Sequence, residues 1–145
     1  MVSNEPPSAL LMFVAHRAAE ARVFEALHSA GFDDLTLAQS RIGQRLNREG
    51  IRVTDLAEQA GVTKQTAGAL VDELEANGYV KRRPDPGDAR ARLVVLTDRG
   101  ARLCATAAGA IAEVETEWRD HLGATAYDEL RTALVSLRTI TDPYR

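Results

Sequence analysis

At Gly78 the hydrophobic period of the chain switches from helical to alternating, and that switch constrains the fold more than any bulk property. Upstream lie two short helical stretches. Thr54 is placed to cap Asp55–Gln59, with Asp55 where the first-turn amides favour an anion, and Leu56 and Ala57 turned inward. Ala60-Gly61-Val62 reads as a tight turn, because Gly61 can take the left-handed conformation without steric cost. Thr63 caps a second helix that runs through Ala76 and stops at Asn77-Gly78, with Leu70, Leu74 and either Ala67 or Val71 facing inward. Downstream, Tyr79-Val80-Lys81-Arg82-Arg83 and Ala91–Leu96 read as two strands around the turn-rich tip Pro84-Asp85-Pro86-Gly87-Asp88. Ile51-Arg52-Val53 is a very short extended piece before the first of the two helices.

Longer helical stretches flank this unit. Leu10, Phe13, Val14, Ala18, Ala21, Phe24 and Leu27 recur at helical spacing between Ser8 and Ala30, and Gly31 supplies a stop. A helix over Leu37–Leu46 follows, broken at Asn47–Gly50. Thr97 caps a long helix over Asp98–His121, Gly123 breaks it, and a last helix covers Ala124–Ile140. The expected fold is therefore mainly α (α+β). With 145 residues the chain forms a core without metal or disulfide. No run of 18 apolar residues and no secretory leader is present, so a cytoplasmic location off the membrane is expected. Cys104, the one cysteine, excludes an intramolecular disulfide and reads as a buried structural thiol, with a redox switch as the alternative.

Helix, glycine turn, helix and basic hairpin together make a winged helix-turn-helix. The net charge of −3 argues against nucleic acid only until its distribution is read. Between Lys81 and Arg99 six basic residues face three acidic ones, so the positive charge is concentrated on the hairpin. The first turn of the second helix suits a major groove, which makes Thr63, Lys64, Gln65 and Thr66 candidate contacts to double-stranded DNA. Arg90 is the leading wing-tip residue, flanked by Arg83 and Arg92 as phosphate binders. Asp88 is expected to hold Arg90 in place through a hydrogen-bonded ion pair.

Each residue taken alone also has an ordinary reading. Threonine caps open many helices, and charges such as Lys81, Arg82 and Arg83 at strand ends usually face solvent. The order and spacing carry the signal. An enzyme is not expected, and neither a cofactor nor a metal site: His16, His28 and His121 are scattered, and no glycine-rich phosphate loop follows a strand. Glu113, Glu115 and Glu117 point to different sides of a helix and read as a solvated stretch.

The residues from about Leu35 to Gly100 resemble the MarR family of transcriptional regulators. The matching stretches are Thr54-Asp55-Leu56-Ala57, Val62-Thr63-Lys64-Gln65-Thr66, the run from Leu70 to Val80, Asp85-Pro86-Gly87-Asp88-Ala89-Arg90, and Leu96-Thr97-Asp98-Arg99-Gly100. The resemblance implies one domain over 1–145, with a winged core at 35–100 and dimerisation helices at 8–30 and 101–140. It also implies a homodimer on a pseudo-palindromic operator. The Leu-striped terminal helices agree, since they carry more apolar surface than one subunit can cover. Leu10, Phe13, Leu130, Leu134, Leu137 and Ile140 are the expected interface residues, unless some of them complete the subunit's own core. The family further implies a repressor released by a small aromatic effector, for which His16, Arg17, Phe24, Ser40 and Arg41 are candidate pocket residues.

The chain departs from the family where it has Ala69 and Glu73 at positions that often carry basic residues, and in Gly68 mid-helix. It also lacks the N-terminal cysteine of redox-sensing members. The competing reading is a winged-helix dimer that acts through protein contacts, with weak or no DNA binding.

Overall fold

A computed structural model describes residues 4–144. Helix α1 spans Ser8–Ser29, α2 Leu37–Gly43, α3 Val53–Ala60 and α4 Lys64–Ala76. Strands β1, Val80–Asp85, and β2, Asp88–Leu96, pair antiparallel, and α5, Asp98–Leu122, and α6, Ala124–Thr141, complete the chain. The result is a mostly helical winged helix-turn-helix with one two-stranded sheet.

The core lies where α2, α3 and α4 meet the base of the hairpin. Leu27, Ile42, Leu56, Ala67, Val71, Leu74, Tyr79 and Val94 are buried there together. Ala67 and Val71 thus both face inward with Leu74, while Leu70 is only partly covered. Gly61, at φ 69°, closes α3 in the left-handed conformation that the turn requires. Gly100 serves a different need. A Cβ on it would lie 2.1 Å from the Tyr79 carbonyl oxygen, so α5 can begin against the end of α4 only with glycine there.

Three boundaries differ from the sequence expectation. Helix α2 ends at Gly43, and Leu46 is buried from the turn that follows it. Helix α3 starts at Val53, with Arg52 at the cap position making no side-chain capping bond, and Thr54 lies inside the helix. The cause is tertiary: Ile51 exchanges backbone hydrogen bonds with Val94, which fixes the chain until just before the helix starts. The hairpin is also tighter than expected. Pro84 pairs with Arg92 and Asp85 with Asp88, leaving Pro86-Gly87 as the turn, and a register shift between Pro84 and Asp85 absorbs the mismatch.

The terminal helices are less covered than the core. Helix α6 buries one residue, Tyr127, and leaves Leu130, Leu134, Leu137 and Ile140 exposed. Leu10 and Phe13 on α1 are exposed as well. Among the described residues, no helix is long and apolar enough to cross a membrane.

Candidate nucleic-acid interface

The first turn of α4 projects from the surface. Thr63, Lys64, Gln65 and Thr66 are all exposed. The Thr63 hydroxyl accepts the Thr66 backbone N–H at 3.1 Å and donates to the Thr66 hydroxyl at 3.0 Å. Those two side chains therefore shape the helix start, whereas Lys64 and Gln65 form no side-chain hydrogen bond or ion pair among the described residues.

The cations of the winged unit divide into two sets. Arg48 pairs with Asp98, Arg52 with Asp85, Arg99 with Asp34, and Arg82 with both Asp72 and Glu75. Arg82 thus ties β1 to the outer face of α4 and neutralises two of its carboxylates. Lys64, Lys81, Arg90 and Arg92 have no such partner among the described residues, and all four are exposed; Arg45 is exposed as well and interacts only at longer range, with Asp142. Arg83 falls between the sets: it is exposed, but its guanidinium donates to the Glu49 carbonyl.

The expected Asp88–Arg90 ion pair is absent. Asp88 instead accepts the Arg90 backbone N–H at 2.9 Å, a local turn contact that leaves the guanidinium free. The nearest cation to its carboxylate is Arg52, at 4.0 Å. With residues i and i+2 on one strand, the aspartate reaches its neighbour's amide more easily than the end of its long side chain.

Glu73, a departure from the family pattern, is also accounted for. It accepts the buried Gln39 side-chain amide at 2.7 Å. Gln39 in turn completes the capping box of α2: its Oε1 accepts the Thr36 N–H at 3.1 Å, and its own N–H donates to Thr36 Oγ1 at 3.2 Å. One glutamine therefore organises the start of α2 and fastens it to α4.

A cavity of about 530 Å³ lies between α1, α2 and α5. His16 and Ser40 line it, while Arg17, Phe24 and Arg41 do not. Arg17 and Arg41 border an adjoining recess with Phe13 that shares Gln44 with the cavity, and Phe24 packs at a tilt against His28, with ring centres 4.4 Å apart. Arg41 is held by Glu20 through bonds of 2.8 and 2.9 Å, which lower the Glu20 pKa. Sequence reasoning missed Glu20, Gln44 and Cys104 in this wall. Their spacing resembles that of any helix surface, and only the packing of three helices brings them together. Cys104 is half-buried, and burial raises its thiol pKa, which disfavours the reactive thiolate.

The sequence and the fold are similar to those of known proteins. The MarR family profile matches residues 33–91. The HTH-type transcriptional regulator YfiV of Bacillus subtilis is 32% identical over 71 residues, covering 48% of this chain and 44% of that protein. The transcriptional regulator HosA of Escherichia coli O157:H7 is 33% identical over 92 residues, covering 63% of this chain and 68% of HosA. The chain spans about half the length of some relatives: 44% of YfiV and 56% of HosA from strain O111:H-.

Among solved structures, the transcriptional regulator PA4135 superposes with a TM-score of 0.72 at 25% identity, over 94% of this chain and 98% of that one. Staphylococcus aureus MepR F27L, bound to an oligodeoxyribonucleotide, gives 0.60 at 19% identity, over 95% and 100%. The Mycobacterium tuberculosis MarR family protein Rv2887, in complex with salicylic acid, gives 0.66 at 24% identity, over 94% and 99%.

Proposed function

The chain belongs to the MarR family of transcriptional regulators, and on that premise we propose that it binds a pseudo-palindromic operator as a homodimer and represses transcription until a small ligand releases it. The observation that carries this reading is the sorting of cations. Most arginines of the winged unit are engaged internally, while Lys64 at the start of α4 and Lys81, Arg90 and Arg92 on the wing stand exposed and unpaired. Those are the positions from which a helix can enter the major groove and a wing can follow the phosphates. Gln65 is suited to an adenine edge, and Thr63 and Thr66 place the first-turn amides toward a phosphate. Arg83 and Asp88 shape the wing from its two strands. MepR, which shares the fold, has been captured on an oligodeoxyribonucleotide.

In this reading residues 35–100 form the DNA-binding unit, and 8–30 and 101–140 form the dimerisation region. The exposed Leu10, Phe13, Leu130, Leu134, Leu137 and Ile140 support the second assignment, because a helix that buries so little of its apolar stripe needs a partner for it. The cavity between α1, α2 and α5 supports ligand relief, since it touches both the dimerisation helices and the helix fastened to α4. Rv2887, of the same fold, binds salicylic acid.

The test is selection of the native chain against random duplexes of about thirty base pairs, three helical turns, followed by anisotropy titration of the recovered sequence. Salicylate serves as the first effector probe. A recovered inverted repeat bound by two subunits, with affinity lowered by salicylate or a related aromatic, is the expected result. Failure to enrich any duplex would overturn DNA binding and favour a dimer acting through protein contacts.

A further inference from the structure

The wing is mounted on residues 47–52, the segment just before α3. Leu96 N–H donates to the Asn47 carbonyl at 3.0 Å, and Ile51 and Val94 exchange backbone bonds of 3.1 and 2.8 Å. Gly50 packs so tightly that a Cβ there would lie 2.9 Å from both Leu93 Cβ and Val95 Cγ1. These contacts hold the base of the hairpin. Further out, Arg83 donates to the Glu49 carbonyl, and beyond Pro84 the tip is held by Arg52. Arg52 Nε and Nη2 donate to Asp85 Oδ2 at 2.9 and 2.6 Å, and Nη2 lies 4.0 Å from Asp88 Oδ2.

Asp85 is the hinge of the tip. It sits at the register shift, it is mostly buried, and its Oδ1 accepts the Gly87 N–H at 2.9 Å across the turn. Asp88 then holds the Arg90 backbone. A short run of bonds therefore leads from Arg52 through Asp85 and the turn to Arg90. Pro84, with no N–H to give the ladder, weakens the hairpin at this level, so the tip has few other restraints. The lever is long enough to matter: four residues beyond Val94 extend about 13 Å, so a tilt of about 10° moves the tip by about 2 Å. That displacement breaks a hydrogen bond.

We propose that Arg52 is a positioning residue for DNA binding: by gripping Asp85 it sets the direction in which the wing presents Arg90 and Arg92 beside α4, without itself contacting DNA. The inference rests on the wing's role in the proposed function. It also makes a counter-intuitive demand on Asp85. Charge alone says that removing a carboxylate from a DNA-facing wing strengthens binding, whereas a positioning role says that removal weakens it.

Anisotropy titrations of the selected duplex with Arg52→Ala, Asp85→Asn, the double variant, and the exchange Arg52→Asp with Asp85→Arg decide between these, each repeated across a salt series. The expected result is a loss of about tenfold for each single change, no further loss in the double, and recovery by the exchange. The salt slope stays unchanged for Arg52→Ala. Tighter or equal binding by Asp85→Asn overturns the proposal, as does a salt slope that falls by about one with Arg52→Ala, the mark of a lost phosphate contact. Asp85→Asn keeps the side chain's shape and carries the test if Arg52→Ala unfolds. Arg90→Ala separates the two levels. If it is neutral, the wing reading falls and takes this proposal with it; if it weakens binding while Asp85→Asn does not, only this proposal falls.

Discussion

The Arg99 guanidinium stacks 4.2 Å from the centre of the Tyr79 ring, and both side chains converge on Asp34. The Tyr79 hydroxyl donates to Asp34, and Arg99 pairs with the same carboxylate at 3.2 Å. Arg99 also donates to the Asn77 carbonyl. One cluster thereby joins the loop before α2, the end of α4 and the start of α5.

That cluster has an alkaline signature. Burial, reinforced by the hydrogen bond to Asp34, pushes the Tyr79 pKa up to about 12. A phenol whose folded pKa exceeds its unfolded value of about 10 stabilises the fold fully below pH 10 and loses that contribution as pH rises toward 12. Tyr79→Phe should therefore flatten the loss of stability across that window, on the order of 2 kcal/mol. Urea unfolding at pH 8 and pH 11 checks it; an unchanged pH dependence would show that the hydroxyl is not held as described.

Asp34 titrates at the other end. The Tyr79 hydrogen bond, and then Arg99, depress its pKa. A carboxyl with a depressed folded pKa contributes stability above its unfolded pKa and loses it as pH falls through the folded value. Asp34→Asn should reduce the acid sensitivity of the fold below about pH 4. Acid titration of both proteins by circular dichroism gives the comparison, and superimposable midpoints would count against the cluster.

Much of this architecture is legible in the sequence because it rests on local chemistry. Thr63 and Thr97 cap their helices through the Thr66 and Gly100 amides, and Gly61 closes α3. The errors lie where distant segments decide. The start of α3 is set by the Ile51–Val94 bridge, and the tight hairpin by the bulge at Pro84 and Asp85. Within the site, adjacency suggests an Asp88–Arg90 pairing, yet it is Arg52 that approaches the Asp88 carboxylate, from a segment 36 positions earlier. Gln39 carries no sequence signal for its bond to Glu73, because 34 residues separate them.

Gly100 gives a sharp packing prediction. A methyl there meets the Tyr79 carbonyl oxygen at 2.1 Å and Leu96 Cδ2 at 3.0 Å, and backbone cannot step aside as a side chain can. Gly100→Ala should destabilise the fold by about 1–3 kcal/mol or more, despite alanine's better helix propensity. Gly109 lies in the same helix, and a methyl added there meets nothing within 4 Å, so Gly109→Ala should be neutral or stabilising. Thermal melts check both: the midpoint should fall for Gly100→Ala and hold or rise for Gly109→Ala.

The terminal helices yield an assembly prediction. Leu134 is 42% exposed in the single chain, and it borders an apolar recess with Leu11, Met12, Trp118 and Leu130. If that recess is completed by a second copy, Leu134→Asp places a charge where a partner must dry the surface. Sedimentation should then show a monomer at concentrations where the native chain is a dimer. Operator affinity should fall with it, since two half-sites are no longer linked. A native chain that sediments as a monomer would refute the dimer.

Lys64 and Gln65 are neighbours on the exposed first turn of α4, and their chemistry separates two kinds of DNA contact. An ammonium on a flexible stem neutralises phosphate wherever it lies, whereas a carboxamide reads a base edge by paired hydrogen bonds. Lys64→Ala should weaken binding to all duplexes alike and lower the salt slope by about one. Gln65→Ala should leave that slope unchanged, cost about 1–3 kcal/mol on the preferred duplex, and cost little on duplexes altered at one base pair of each half-site. Titrations of the preferred and altered duplexes across a salt series resolve both effects. If Gln65→Ala weakened every duplex equally, the residue would be a backbone contact, and sequence reading would have to come from elsewhere on α4 or from the shape of the DNA under the wing.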